Sequence, residues 1–494
     1  MKFAALLPAL VSCLSSTVAA TSFDSTQVSK ISLPSTFKPP QVFKNANLVH
    51  IITLEKNYAK EIINTKVENI AKEPQDEYFL PFTPDQMSRV GGLEVKDKKN
   101  ADAGPFAVEA VEFDPESTVQ YYRIKFPEPL KAGEEQTLSI SYYYTDAYRP
   151  LPATISQEDP QFLVYSFSAY CPSAYTTSKQ KTEVKAASSN IPDYTKVPGS
   201  GDVAEFPTKS GTKLTYGPYD EKPAGAEQPA TVRFEFTKPV LHVSELERDV
   251  EVSHWGGNIA FEERYTMFHR GANLSSLFSR VKWQQAQYYN PNTFALKELN
   301  FPLPPSSADA YYYDIIGNIS TSRFRTGKNE ALLQTKPRYP IFGGWKYPFT
   351  IGWNADAKNF LRKATTGGYV LNVPFLEGPK QPEGVEYENT VVRVILPEGA
   401  DNVKYYTDIP ESAITSADVE IHKTYLDTIG RTTLVVKARN LVDDFRDRKL
   451  IVSYEVPFLV SIRKPLVIFG SMVATFIAAY IIGGVELKIT SKAR

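Results

Sequence analysis

The chain has 494 residues with 55 basic and 56 acidic side chains, a balance that excludes the strongly basic surface of a nucleic-acid-binding protein. This length exceeds what one hydrophobic core organises, so two or more domains are predicted. The two cysteines, Cys13 and Cys171, cannot pair in the mature protein, because Cys13 lies in the predicted signal peptide. Cys171 is therefore predicted to be a small buried residue, with a reactive thiol as the alternative.

The N-terminus has the pattern of a secretory signal peptide. Lys2 supplies the positive charge, residues 3–14 form an apolar segment, and the small side chains of residues 18–20 form a cleavage site. We predict cleavage after Ala20, which assigns residues 1–20 to the signal peptide. A membrane anchor is the weaker alternative, because the apolar segment is too short to span a bilayer.

The region between the signal peptide and the C-terminal apolar segment alternates in polarity with a period of two residues. In one such run, Tyr122, Ile124 and Phe126 share one face, as they do in a half-buried strand. Proline and glycine turn signals separate the runs, which favours antiparallel β-sandwiches over a helical or doubly wound fold. The predicted fold is mainly β, with two tandem sandwich-like lumenal domains at residues 21–237 and 238–464.

Finer expectations concern single segments of these domains. Two similar runs, residues 136–142 and 448–454, suggest that one domain duplicates the other. The polar residues 176–201 are predicted to be a long connection, and residues 356–365 are a helical candidate. Residues 254–257 (His-Trp-Gly-Gly) are predicted to form a tight structural turn.

Two sequons begin at Asn273 and Asn318, and in a translocated chain both are predicted to be N-glycosylated at the surface. Motifs for catalysis are missing from the sequence: it has no His-Glu-x-x-His, no Gly-x-Ser-x-Gly and no P-loop. The five histidines lack metal-ligand spacing. No catalytic residue, cofactor or metal site is predicted.

The C-terminal apolar segment, residues 465–485, is predicted to be a single transmembrane helix. It carries no charge before Glu486, and about 20 residues at roughly 1.5 Å each cross the hydrocarbon core. Gly470, Ala474 and Ala478 recur every four residues and are predicted to form a helix-packing face, the alternative being a chance abundance of small residues. A cleaved signal peptide leaves residues 486–494 as a short cytosolic tail.

Several longer runs, most of them in the second half, are specific enough to indicate a family. They are residues 251–256 (EVSHWG), 258–260 (NIA), 278–280 (FSR), 316–322 (IGNISTS), 337–340 (PRYP), 342–346 (FGGWK), 395–400 (ILPEGA) and 424–428 (TYLDT). With residues 175–177 (YTT) in the first half, they resemble ribophorin I, a non-catalytic subunit of the oligosaccharyltransferase complex. The resemblance covers essentially the whole mature chain.

The resemblance implies a supporting role in the transfer of a preassembled glycan from dolichyl diphosphate to Asn of N-x-S/T sequons. Catalysis in that complex belongs to a multispanning subunit, whose Trp-Trp-Asp-Tyr-Gly run is absent here. The resemblance also implies a single-pass type I protein of the endoplasmic reticulum membrane with most of its chain in the lumen. The implied partners are the catalytic subunit, small membrane subunits, nascent polypeptides and the lipid bilayer, with no nucleic acid and no cofactor.

Two alternatives belong to other functional classes. One is a stand-alone, chaperone-like membrane protein that binds glycans or nascent chains in the lumen. The other is a glycan-processing enzyme, which the sequence does not support with any catalytic motif.

Overall fold

The computed structural model describes residues 31–32, 37–100, 104–112, 117–199, 205–289, 293–365, 367–425, 427 and 429–484. The predicted signal peptide, its cleavage site and the cytosolic tail lie outside these residues, as does residue 485 of the predicted membrane span.

The described residues form 34 β-strands. Strands β1 to β18 are Ile31–Ser32, Phe43–Leu54, Ala59–Asn69, Gln75–Phe82, Val90–Asp97, Ala107–Glu112, Gln120–Leu130, Glu135–Tyr144, Arg149–Pro150, Thr154–Ile155, Phe162–Ser168, Thr176–Ala186, Asp193–Tyr194, Val197–Pro198, Glu205–Phe206, Thr208–Ser210, Lys213–Lys222 and Pro229–Glu235. Strands β19 to β34 are Leu241–Ser253, Asn258–His269, Asn273–Leu274, Leu299–Leu303, Ala308–Asp314, Gly317–Asn318, Arg323–Thr326, Ala331–Thr335, Lys346–Asp356, Leu361–Lys363, Tyr369–Pro374, Glu386–Glu398, Asp401–Thr407, Ile414–His422, Arg431–Val442 and Lys449–Glu455.

Helices are few and short, apart from the last. They are α1 (Pro84–Arg89), α2 (Arg280–Tyr289), α3 (Phe458–Ser461) and α4 (Arg463–Gly483), with 3-10 turns at Ala357–Asn359, Glu411–Ala413 and Asp443–Phe445. The first helix begins where it does because Thr83 and Gln86 form a reciprocal capping box around it. The predicted class is confirmed: the described chain is mainly β, with several sheets and one C-terminal apolar helix.

The two largest sheets repeat one topology. The first has the order β5-β8-β3-β2-β12-β17-β16, and the second has the order β23-β27-β20-β19-β30-β33-β32 with β24 added at its edge. In each sheet, one neighbouring pair is parallel, β2 with β12 and β19 with β30, and the other pairs are antiparallel. Both sheets are thus mostly antiparallel, as predicted, with one parallel pair at the centre of each.

Smaller sheets cover one face of each large sheet. In the first half, β1-β6-β7-β4 and β13-β18-β11-β9 pack over the seven-stranded sheet, with Ile63 and Ile140 below and Ile124 and Leu163 above in one apolar core. In the second half, β28-β29-β34-β31 and β22-β26-β25 cover the eight-stranded sheet in the same way. Each half is thus a sandwich, and the exact domain limits at residues 237 and 238 stay a prediction.

Three finer expectations were wrong. Residues 176–186 are strand β12 at the centre of a sheet, not a connection. Residues 356–365 hold only a 3-10 turn, in which the Lys358 N–H donates to the capping side chain of Asp356, followed by strand β28. The similar runs at 136–142 and 448–454 lie in β8 and β34, which occupy different layers, so the duplication is seen in the topology and not in that match.

Charged side chains join the two halves. At the turn between β2 and β3, Lys56 Nζ lies 2.7 Å from Asp444 Oδ1, Lys60 Nζ lies 3.1 Å from Asp444 Oδ2, and the Tyr58 hydroxyl donates to Asp443. Burial opposes the ionisation of Asp444, but Lys56 and Lys60 outweigh it and hold the pKa of this carboxyl well below its usual range. The two halves are therefore joined by ion pairs between lysines of the first half and Asp444 of the second.

Candidate functional site

A cleft of about 410 Å³ opens on the covered face of the first half. It lies where the covering layer is split into two sheets, so that β4 and α1 form one wall and β11 forms the other. Strand β9 pairs with β11 only at Leu163 and Val164, which leaves residues 165–168 of β11 bordering the cleft. The cleft is therefore bounded by two strand edges.

The backbone of β11 turns hydrogen-bonding groups toward this cleft. The Gln161 carbonyl accepts from the Phe236 N–H, and the Ala169 N–H donates to the Gln228 carbonyl. The backbone N–H and C=O groups of odd-numbered residues along β11 therefore point toward β18. The backbone groups of Ser166 consequently point to the other side, into the cleft. The opposite edge is blunted, because Pro81 has no N–H and the Phe79 N–H donates to the Tyr175 hydroxyl.

The floor of the cleft is a polar cluster around Glu61. His50 Nε2 lies 2.9 Å from Glu61 Oε2, the Tyr142 hydroxyl donates to the same oxygen at 2.7 Å, and the Tyr165 hydroxyl donates to the other. Burial opposes ionisation of Glu61, but His50 and the hydroxyl groups outweigh it and hold its pKa below the usual range. The nearby Cys171 is buried, and burial with the Glu61 charge raises the pKa of its thiol well above the usual range, which favours the predicted buried residue over a reactive one.

Sequence reasoning missed the Glu61 cluster, although a signal was present. In β3, Glu61 lies in the inward row with Ala59, Ile63 and Val67. A charged residue within an apolar row is costly unless it is hydrogen-bonded, so it points to buried partners from other strands.

A second candidate surface surrounds the beginning of α4. The predicted turn at residues 254–257 is confirmed, and it joins β19 to β20. His254 Nε2 lies 2.8 Å from the Tyr454 hydroxyl, and Trp255 Nε1 donates to the Ser461 carbonyl at 3.2 Å. A turn predicted to be structural thus contacts the segment that leads into α4.

The remaining predicted residues lie apart from one another. Asn273 begins β21 and Asn318 ends β24, and both side chains are exposed as an acceptor of a glycan must be. Gly470, Ala474 and Ala478 lie along α4, whose residues are not buried by the β-sheet domains. Glycosylation and helix packing at these positions stay predictions.

Among the described residues, α4 alone is long and apolar enough to cross a membrane, with a mean hydropathy of 2.2. Within the same part of the chain, no three His, Cys, Asp or Glu side chains are grouped as metal ligands.

Comparison with known proteins gives a consistent result. The family model described as Ribophorin I matches residues 43–483. A relative named dolichyl-diphosphooligosaccharide–protein glycosyltransferase subunit 1B, from Arabidopsis thaliana, is 30% identical over 93% of this chain and 96% of its own length. The corresponding subunit 1 is 30% identical in Schizosaccharomyces pombe, over 90% of this chain and 95% of its own, and in Caenorhabditis elegans, over 91% and 73%.

Proposed function

The chain belongs to the ribophorin I family, and from this membership we infer that it is an accessory, non-catalytic subunit of an oligosaccharyltransferase complex. The observation that carries the inference is the match to relatives named subunit 1 along nearly the full length of both chains. In this role the chain supports glycan transfer to Asn of N-x-S/T sequons, while a multispanning partner performs the chemistry.

The proposed topology places both sandwiches in the lumen of the endoplasmic reticulum and α4 across its membrane. The exposed Asn273 and Asn318 would then face the glycosylating compartment. The proposed partners in the membrane are the multispanning catalytic subunit and small membrane subunits, which α4 would contact through its face of small residues.

Purification of the tagged full-length chain from its native membranes in a mild detergent tests this function. We expect a multispanning glycosyltransferase to co-purify in about equal amount, as identified by mass spectrometry. Recovery of the chain without any such enzyme, under conditions that preserve other membrane complexes, would contradict the proposal and favour the stand-alone chaperone-like alternative.

For the handling of nascent polypeptides, we propose the cleft between β4 and β11. An extended segment can add to a strand edge through main-chain hydrogen bonds, which are independent of its sequence. The Ser166 backbone supplies such an edge, whereas Pro81 on the opposite side has no N–H with which a strand could pair. A site that binds main-chain groups does not depend on the sequence of its ligand, which suits a protein that binds many different nascent polypeptides.

Replacing Ser166 with proline should weaken the binding of an extended peptide by roughly five-fold, because one main-chain hydrogen bond contributes about 1 kcal/mol. The measurement is fluorescence anisotropy of a labelled ten-residue peptide, rich in β-branched residues, titrated with the purified full-length chain. Ser166→Ala keeps the N–H and is the matched control, expected to bind as the unchanged chain does. Equal affinity of the Ser166→Pro chain, with an unchanged thermal midpoint, would exclude this cleft.

A further inference from the structure

The ectodomain passes into the membrane helix without a flexible stalk. Strand β34 ends at Glu455, α3 begins at Phe458, and α4 begins at Arg463. Within this short connection, Val460 packs directly over Gly399, where a Cβ atom would lie only 2.1 Å from the valine Cγ1. The close contact needs glycine at 399, whose φ of +76° also disfavours other residues.

An ionic clamp holds the first turn of α4 against the ectodomain. Lys464 Nζ lies 2.8 Å from Asp427 Oδ1 and 3.3 Å from Glu398 Oε2, and Arg431 Nε lies 3.3 Å from the same Asp427 oxygen. Burial opposes the ionisation of Asp427, but hydrogen bonds from Lys464, Thr424 and Arg431 outweigh it and hold its pKa well below the usual range. The carboxylate therefore keeps its charge and pairs the first turn of α4 with the ectodomain.

Three aromatic side chains surround this clamp and face away from the protein. Trp255 is 72% exposed, Phe458 is 75% exposed and Tyr425 is fully exposed at 100%. Each is tied to the beginning of the helix: Trp255 through its bond to the Ser461 carbonyl, Phe458 through α3, and Tyr425 by lying two residues from Asp427. Large apolar side chains that are exposed as a group at one end of a domain mark an interaction surface.

We propose that Trp255, Tyr425 and Phe458 form a membrane-interface surface, inserted at the boundary between headgroups and acyl chains of the bilayer that α4 crosses. The helix itself sets their depth, because Ser461 precedes the apolar span by only a few residues at about 1.5 Å each. Rings of Trp and Tyr are favoured at that level, since they combine an apolar body with a polar edge. The ectodomain thus rests on the bilayer, and the turn that follows β19 and the segment that precedes β33 face the membrane.

The inference requires that α4 spans a membrane, but it does not depend on membership of a complex. It can therefore be tested with the purified full-length chain alone, where no other subunit is available to cover the aromatic side chains.

The test uses quenching of tryptophan fluorescence in nanodiscs of phosphatidylcholine brominated near the headgroup end of its acyl chains. We expect the bromine to quench Trp255 strongly, so Trp255→Phe should remove most of the lipid-dependent quenching. Trp283→Phe, which alters α2, should leave it unchanged. Quenching that is the same with and without Trp255 would overturn the proposal.

A second pair of variants guards against an indirect effect of losing Trp255. In the Trp255→Phe background, Tyr425→Trp should restore the quenching, because residue 425 belongs to the proposed surface. Tyr406→Trp should not restore it: Tyr406 is also exposed, at 62%, but it pairs with Ile451. Ile451 lies about 13 Å along β34 from Glu455, the end of the strand that leads to α3 and α4. Equal quenching of the two introduced tryptophans would contradict the proposed surface.

Discussion

Replacing Gly470, Ala474 and Ala478 together with leucine is expected to release the chain from its complex in mild detergent. Small residues let two helix backbones approach closely, and in lipid this packing is what holds membrane helices together. Leucine keeps α4 apolar, so membrane insertion is retained while close approach is lost. We expect at least a ten-fold drop in co-purified multispanning subunit, which corresponds to about 1.4 kcal/mol.

The helix provides its own control for this experiment. Ile468, Met472 and Phe476 have the same spacing but lie on the opposite side of α4, at 100° per residue. Changing these three to leucine should leave co-purification unchanged. If the Gly470, Ala474 and Ala478 variant also co-purifies normally, the small residues do not form the packing face, and the ectodomain carries the association.

Sequence periodicity predicted the class of fold because an apolar core imposes alternation on every strand that borders it. It failed for β12, whose inward row includes Thr177, Gln180 and Thr182. These polar side chains are buried because their partners are close: Gln180 accepts from the Cys171 N–H, and the Thr182 hydroxyl donates to the Ala169 carbonyl. Polarity alone suggested a connection, since the compensating bonds come from elsewhere in the chain.

The order of the strands within the sheets could not be predicted from the sequence, for a related reason. Pairing of β2 with β12 joins residues that are more than a hundred positions apart, and local patterns contain no information on such contacts. The surface around the beginning of α4 shows the same limit. The turn at Trp255 was predictable from its glycines, but the contact of Trp255 with Ser461 and that of Lys464 with Asp427 exist only in the folded chain.

Replacing Arg248 with methionine is expected to destabilise the second half by about 3–5 kcal/mol, the typical cost of breaking a buried ion pair. The Arg248 guanidinium is fully buried and is bonded to Glu263 and, at 2.9 Å, to Glu377. Its charge also lies 5.1 Å from the ring centre of Phe261. Methionine fills similar space but leaves two buried carboxyl groups without their cation.

The pH dependence of this loss follows from the carboxyl groups. Burial already raises the pKa of Glu377, with Arg248 opposing it, so removal of the arginine should raise it further. A carboxyl whose pKa is higher in the folded than in the unfolded state stabilises the fold at low pH, and this contribution is lost as pH rises through the folded-state value. The deficit of Arg248→Met, measured as the shift in urea midpoint, should therefore be larger at pH 8 than at pH 5.

Replacing Arg248, Glu263 and Glu377 together with neutral residues separates the effect of charge on stability from the effect of packing. In the variant that combines Arg248→Met with Glu263→Gln and Glu377→Gln, no charge remains in this cluster, so most of the lost stability should return and the pH dependence of the deficit should disappear. If the combined variant is as unstable as Arg248→Met at both pH values, the arginine acts through packing against Phe261 and not through its charge.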